Sequence, residues 1–176
     1  LYQGWILPGA APYTEGLVAA VEPGRLGISD MRCESNGCEW SDDYQHGGSF
    51  YGAPFIWGTL HDYGGTDGMW GSLPELVSGP LVAFCNATTV TGIGMLPEGI
   101  DQNTAWYTLL LDTNWVTVGS RRAEAISCSA GDTLLDVEAW VAAWALQRYG
   151  SGPGDAAAGE AWALLASTVY SDSQTG

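Results

Sequence analysis

Gly92-Ile93-Gly94-Met95-Leu96-Pro97-Glu98-Gly99-Ile100-Asp101-Gln102-Asn103 is the stretch on which the reading of the fold turns. It carries the end of an apolar, β-branched run, Thr88–Met95, and then sets one carboxylate, Glu98, between Pro97 and Gly99. Pro97 fixes its own φ and removes a donor, and Gly99 tolerates backbone that other residues avoid. A strand that stops this abruptly on a glutamate holds the side chain at its end. A helical segment, Thr104–Leu111, follows at once. Strand, acid, helix is how a (β/α) barrel presents a catalytic group at the carboxyl ends of its strands. A Pro-Glu-Gly turn with a solvated glutamate fits the same residues, so the stretch alone leaves both readings open.

Upstream, Leu1–Leu7 reads as a strand that stops at Pro8-Gly9, with Trp5 near its end. Pro12–Val21 has helical spacing, and Leu26–Met31 is a second strand closing on Asp30. Strand, helix, strand with short links is a βαβ unit and implies a parallel sheet. Arg32–Gly48 is a polar loop carrying Glu34, Glu39, Trp40, Asp42, Asp43 and His46. Pro54–Leu60 is the next strand and delivers His61 and Asp62 at its end. The glycine-rich turn Gly64–Gly68 lacks the Gly-Lys-Ser/Thr of a phosphate cradle. Leu73–Leu81 is a proline-containing helical or loop connection to the strand that leads to Glu98, and Asn114–Arg122 reads as irregular.

The pattern then changes. Asp132 or Thr133 can cap a helix over Leu134–Tyr149 that stops at Gly150, and Ala156–Tyr170 reads as a second helix. Two helices without an intervening strand break the β/α alternation, which places a boundary near Arg122–Gly131.

Four strand ends therefore carry Trp5, Asp30 with Glu34, His61 with Asp62, and Glu98. Parallel strands with short helical returns put these ends on one rim. Aromatic faces that stack on pyranose rings, beside carboxylates that bond hydroxyls and catalyse, make a sugar site. Trp57, in mid-strand, fits the core and the site equally well. His61 fits a hydrogen-bonding role in the pocket better than that of a general base, because sugar hydrolysis draws on two carboxyl groups.

Composition narrows the partners. The 176 residues are one domain's worth of chain, with 46% hydrophobic and 14% charged residues. Five Lys plus Arg against 20 Asp plus Glu give a net charge of −15, which argues against a nucleic-acid partner and an anionic membrane surface. No apolar stretch is long enough for a membrane span. The start at Leu1 reads as a fragment or processed piece of a longer chain. Four cysteines, Cys33, Cys38, Cys85 and Cys128, fit disulfides in an oxidising compartment, with three pairings open. Cys33 and Cys38 enclose a short polar turn that is easily bridged. Asn86-Ala87-Thr88 is an N-glycosylation acceptor pattern. Cys33, Cys38, His46 and His61 match no standard zinc spacing, so no metal is expected.

Several blocks together resemble the lysosomal-type α-N-acetylglucosaminidases, glycoside hydrolase family 89. They are Leu-Tyr-Gln-Gly-Trp (1–5), Gly-Arg-Leu (24–26) leading to Asp30, Glu34-Ser35, Pro-Phe-Ile-Trp (54–57), Leu-His (60–61) and Gly-Gly (64–65). Asn86-Ala-Thr, Gly-Met-Leu-Pro-Glu-Gly-Ile (94–100), Gln102-Asn103, Ala139-Trp140-Val141 and Gln147-Arg148-Tyr149-Gly150 continue the set in order. The resemblance implies an α/β fold. Residues 1–122 would be the C-terminal part of a catalytic (β/α)8 barrel of TIM type, and 123–176 the start of a C-terminal α-helical domain. It implies retaining hydrolysis of terminal α-linked N-acetylglucosamine in a secreted, lysosomal or vacuolar setting, with a carbohydrate substrate and no cofactor. Glu98 matches the family's nucleophile. Nothing here matches the acid/base glutamate of an earlier strand, so the isolated chain is expected to be inactive. A catalytically incomplete, sugar-binding homologue is the other reading. Trp5, Asp30, Glu34, Trp57, His61 and Asp62 are the expected substrate-binding residues and Asn86 the glycosylated one. Asp62 departs from the family, which often has Asn after this His.

Overall fold

The structure, a computed structural model, describes residues 2–3, 11–35, 38–41, 50–62, 69–99, 103–123, 126–150, 152 and 155–171. Trp5 and His46 lie outside the described residues. Four strands, β1 (Tyr2–Gln3), β2 (Ile28–Asp30), β3 (Phe55–Thr59) and β4 (Val90–Met95), form one sheet in the order β1-β2-β3-β4. Every pairing is parallel, as the βαβ pattern requires. β2 is buried throughout, and β3 almost so, which is the usual state of parallel strands covered on both faces.

The helices are α1 (Ala11–Ala20), α2 (Leu73–Asn86), α3 (Thr104–Ala123), α4 (Val137–Tyr149) and α5 (Asp155–Ser167). The connection through Leu73–Leu81 is thus helical and longer than its apolar spacing implied. Ser72 caps it, its Oγ accepting from Glu75 N at 3.3 Å, and the sequence Ser72-Leu-Pro-Glu75 has the spacing of a capping box. Two disulfides close, Cys33–Cys38 and Cys85–Cys128, the second tying the end of α2 to the segment before α4.

Two expectations are overturned. Asn114–Arg122 is not irregular: α3 runs unbroken to Ala123. Its first half is anchored by the buried Trp106, Leu109, Leu110 and Thr113, and once a helix is nucleated each further residue adds one hydrogen bond, so the helix extends past Asn114. The cap of α4 is Asp136, not Asp132 or Thr133; Asp136 Oδ1 accepts from Ala139 N at 3.0 Å. Asp132 instead holds a tight loop, accepting from Ser127 Oγ and Ser129 N, and Leu134 donates its N–H to Val77 O. Gly150, at φ +93°, ends α4 as expected.

One hydrophobic cluster spans the described residues. Phe55 and Trp57 of β3, Leu76 of α2 and Trp106 of α3 belong to it, and so do Val141 of α4 and Tyr170 beyond α5. The final helices are fixed to α2 at its start, where Leu73 N donates to Tyr170 O at 2.9 Å and Ser72 bridges Ser171.

Candidate active site

The exits of β3 and β4 are bound together by main chain. Leu96 N donates to Thr59 O at 2.9 Å, and both Glu98 N and Gly99 N donate to Asp62 O at 2.9 Å. Glycine is required at 99 because a Cβ there would lie 2.8 Å from Asp62 Cβ. Pro97 and Glu98 are exposed, so the Glu98 carboxylate projects from the tip of a turn whose backbone is held from below.

Below it lies a buried polar cluster. His61 has a left-handed backbone, φ +51°, a conformation that costs a non-glycine residue of order 1–3 kcal/mol and persists only when its surroundings impose it. Here the surroundings are aromatic. The imidazole stacks on Trp106 with centroids 4.1 Å apart and on Trp70 at 4.6 Å, with Tyr107 edge-on at 5.9 Å. Burial lowers its pKa to about 3, so the ring is neutral at physiological pH. The 3.5 Å approach of Nε2 to Asp62 Oδ1 is therefore not an ion pair. Asn103 Nδ2 lies 3.3 Å from the same Nε2.

Asp62 is fully buried, and its Oδ2 accepts from Asn103 N and Tyr107 Oη, both at 3.3 Å. Burial first, then the Asp62 charge, raises the Tyr107 pKa. Tyr107 therefore keeps its proton and donates it.

Asp30 and Glu34 are buried too. Asp30 accepts from Glu39 N at 3.1 Å and from Trp40 N at 2.9 Å, so its carboxylate closes the polar loop onto the end of β2. Glu34 is 2% exposed, and its Oε1 accepts from the N–H groups of both Leu60 and His61. Burial raises its pKa, while the His61 and Leu60 amides and the Arg32 charge act in the opposite direction. Trp57 is 1% exposed and turns toward α2, where its ring lies against Gly79.

The exits of β2, β3 and β4, the strand ends that lie among the described residues, are thus adjacent, but their side chains lie in two layers. Glu98 is outermost. Asp30, Glu34, His61 and Asp62 lie beneath it and bond chiefly to backbone amides and to one another, and Trp57 packs in the core. Four partners were not foreseen: Trp70, Asn103, Trp106 and Tyr107. Asn103 closes the stretch from which the sequence was read, but nothing in that stretch shows that it turns back onto His61. Asn86 is exposed at the end of α2, its Nδ2 donating to Val82 O at 2.7 Å. Cys33 and Cys38 are bonded to each other and offer no thiolate to a metal. A larger groove, about 970 Å³, lies between α2, α4 and α5 and includes no strand-end residue.

The family profile described as alpha-N-acetylglucosaminidase (NAGLU) tim-barrel domain matches residues 1–117. Human alpha-N-acetylglucosaminidase is 36% identical over 177 residues, covering 97% of this chain and 21% of its own length. The chain thus spans about a fifth of that relative. Two structures of the family 89 glycoside hydrolase from Clostridium perfringens share the fold. The complex with PUGNAc matches at TM-score 0.72 and 23% identity, over 99% of this chain and 17% of that one. The complex with 2-acetamido-1,2-dideoxynojirmycin matches at TM-score 0.70 and 24% identity, over 96% and 16%. With two-thirds of its length matched by the barrel-domain profile and a parallel sheet whose exits gather acidic residues, the chain belongs to the α-N-acetylglucosaminidase family.

Proposed function

We propose that this chain is the nucleophile-bearing part of a retaining α-N-acetylglucosaminidase, with Glu98 attacking the anomeric carbon. The supporting observation is that Glu98 is an exposed carboxylate at the exit of a parallel strand, on a turn whose two amides are anchored to Asp62 O. A nucleophile must be held in register with its target while its oxygens stay free, because misplacement by about 1 Å can cost about a hundredfold in rate. In double displacement a second carboxyl group, about 5 Å away, protonates the leaving oxygen and later activates water. That group belongs to the remainder of the protein. An α-linked sugar cannot use its own 2-acetamido group from the required face, so an enzymic carboxylate is needed.

Residues 1–122 then form the later part of the catalytic barrel, and 123–176 begin a helical domain. Direct contact with the sugar is assigned to Glu98, with Trp5 as a stacking partner. Asp30, Glu34, His61 and Asp62 shape the site from beneath, and Trp57 supports β3. The two disulfides and the exposed Asn86 favour a secreted, lysosomal or vacuolar enzyme. In the full-length protein, Glu98→Gln should abolish turnover of an aryl α-N-acetylglucosaminide while the fold persists. Turnover near the parent's would sink the assignment.

A further inference from the structure

Asn103 meets four groups at once, and only one orientation of its amide suits them all. It directly precedes α3, and its Oδ1 accepts from Trp106 N at 3.3 Å, the bond of an N-cap. Its carbonyl accepts from Tyr107 N at 3.1 Å, and its own N–H donates to Asp62 Oδ2 at 3.3 Å. Turning the amide over would set an NH2 group against the Trp106 N–H, so the cap fixes which end faces His61. That end is Nδ2, 3.3 Å from His61 Nε2. An amide NH2 offers hydrogens and no acceptor, so the ring nitrogen that it faces has to accept. A proton on Nε2 would abut the amide hydrogens.

We propose that Asn103 is a positioning residue: its amide donates to His61 Nε2, holds the neutral imidazole in the Nδ1–H tautomer, and so steadies the β3 exit that carries the Glu98 turn. The ring is fully buried and its faces are covered by Trp70 and Trp106, so only groups in its plane can orient it. Asp62 Oδ1, which would draw a proton onto Nε2, stands farther off at 3.5 Å, beyond the usual N–H···O range. Nδ1 is buried with no hydrogen-bond partner among the described residues, so nothing at that end opposes the choice made at Nε2. Accepting from Asn103 also excludes the imidazolium, which has no lone pair, in keeping with the ring's burial. A ring freed in its plane would release the left-handed backbone of His61, φ +51°. The next carbonyl along, Asp62 O, is the one that holds Glu98 N and Gly99 N.

The test uses the full-length protein and two variants that keep a capping oxygen for Trp106 N. Asn103→Asp replaces the donor that faces His61 by an acceptor, and Asn103→Ser withdraws the amide altogether. Each protein is labelled with nitrogen-15 histidine, sedimented, and measured by magic-angle-spinning NMR at neutral pH. The signals of His61 are those that His61→Gln removes. The parent should show Nδ1 protonated and Nε2 bare. Both variants should show a proton on Nε2, directed at the new carboxylate in one and at Asp62 Oδ1 in the other. With an aryl α-N-acetylglucosaminide, kcat of Asn103→Asp should fall about tenfold while KM stays within about twofold, the split expected when the nucleophile is held less well. A parent with its proton on Nε2, a tautomer indifferent to both substitutions, or full kcat beside a moved proton overturns the proposal. Should Asn103→Asp fail to fold, the parent's tautomer and Asn103→Ser decide in the same way. The kinetic readout rests on the glycosidase reading above, whereas the spectrum needs no turnover. An inactive parent with the expected tautomer, lost in both variants, would defeat that reading and leave the hold of Asn103 on His61 standing.

Discussion

The carbonyl oxygen of Asp62 accepts the backbone N–H of Glu98 at 2.9 Å and that of Gly99 at the same distance. The proposed nucleophile is thus anchored by the main chain of the preceding strand exit, independent of the side chain at 62. This bears on the Asp in place of the family's frequent Asn. Either side chain presents an oxygen to Asn103 N and Tyr107 Oη, and either leaves the anchoring carbonyl unchanged. Asp62→Asn should therefore alter kcat/KM by less than about tenfold and stability by about 1 kcal/mol. A far larger drop in kcat/KM with the melting temperature preserved would show that this carboxylate acts on the sugar itself.

Gly99→Ala tests the anchor directly. A Cβ 2.8 Å from Asp62 Cβ forces the turn away from the β3 exit. Overpacking of this kind costs about 1–3 kcal/mol. The kinetic effect should be disproportionate, with kcat down about a hundredfold. Parallel measurement of melting temperature and kcat separates the two. A variant with full kcat would show that the turn's register does not matter.

The sequence made the sheet legible because parallel strands leave a strong mark: short apolar runs, helical returns and a polar residue at each exit. β2, β3 and β4 fall within the runs that ended on Asp30, His61 and Glu98. What it could not convey was depth. Asp30, Glu34 and Asp62 read as pocket acids, because a carboxylate at a strand end looks the same whether it meets solvent or a neighbouring amide. Only the fold shows that Leu60 and His61, far along the chain, supply the N–H groups that Glu34 accepts. The Trp70–His61–Trp106 stack was hidden for the same reason, since its members come from three separate segments. The end of α3 was misread because local propensity weakens after Leu111, whereas a helix already nucleated around the buried Trp106, Leu109 and Leu110 propagates at one hydrogen bond per added residue.

His61 should not titrate between pH 4 and 8, since burial holds its pKa near about 3. The sign follows from its depression below 6.5: the neutral ring's contribution is full above 6.5 and is lost as pH falls toward 3. Replacing His61 by Gln removes a proton-linked loss of a few kcal/mol at most, so the variant's stability should fall less steeply on acidification. Thermal melts of both proteins across pH would reveal it. Identical slopes would show that His61 does not carry the linkage.

Of the two disulfides, Cys85–Cys128 should matter more. It closes residues 43 apart, against 5 for Cys33–Cys38. The chain-entropy relation gives about 4 kcal/mol for the larger loop and about 2 for the smaller. Replacing Cys85 and Cys128 together by alanine should lower the melting temperature more than replacing Cys33 and Cys38. The reverse order would mean that the short loop's hold on the Glu34 turn outweighs loop entropy.

The central claim is that Glu98 forms the covalent bond to the sugar. The most direct measurement is peptide mapping by mass spectrometry of the full-length protein, denatured after incubation with a slow, activated α-N-acetylglucosaminyl fluoride. The account predicts one glycosyl adduct per molecule, on the peptide containing Pro97-Glu98-Gly99, with fragmentation placing it on Glu98. Substrate turnover with the adduct on any other carboxylate would contradict it.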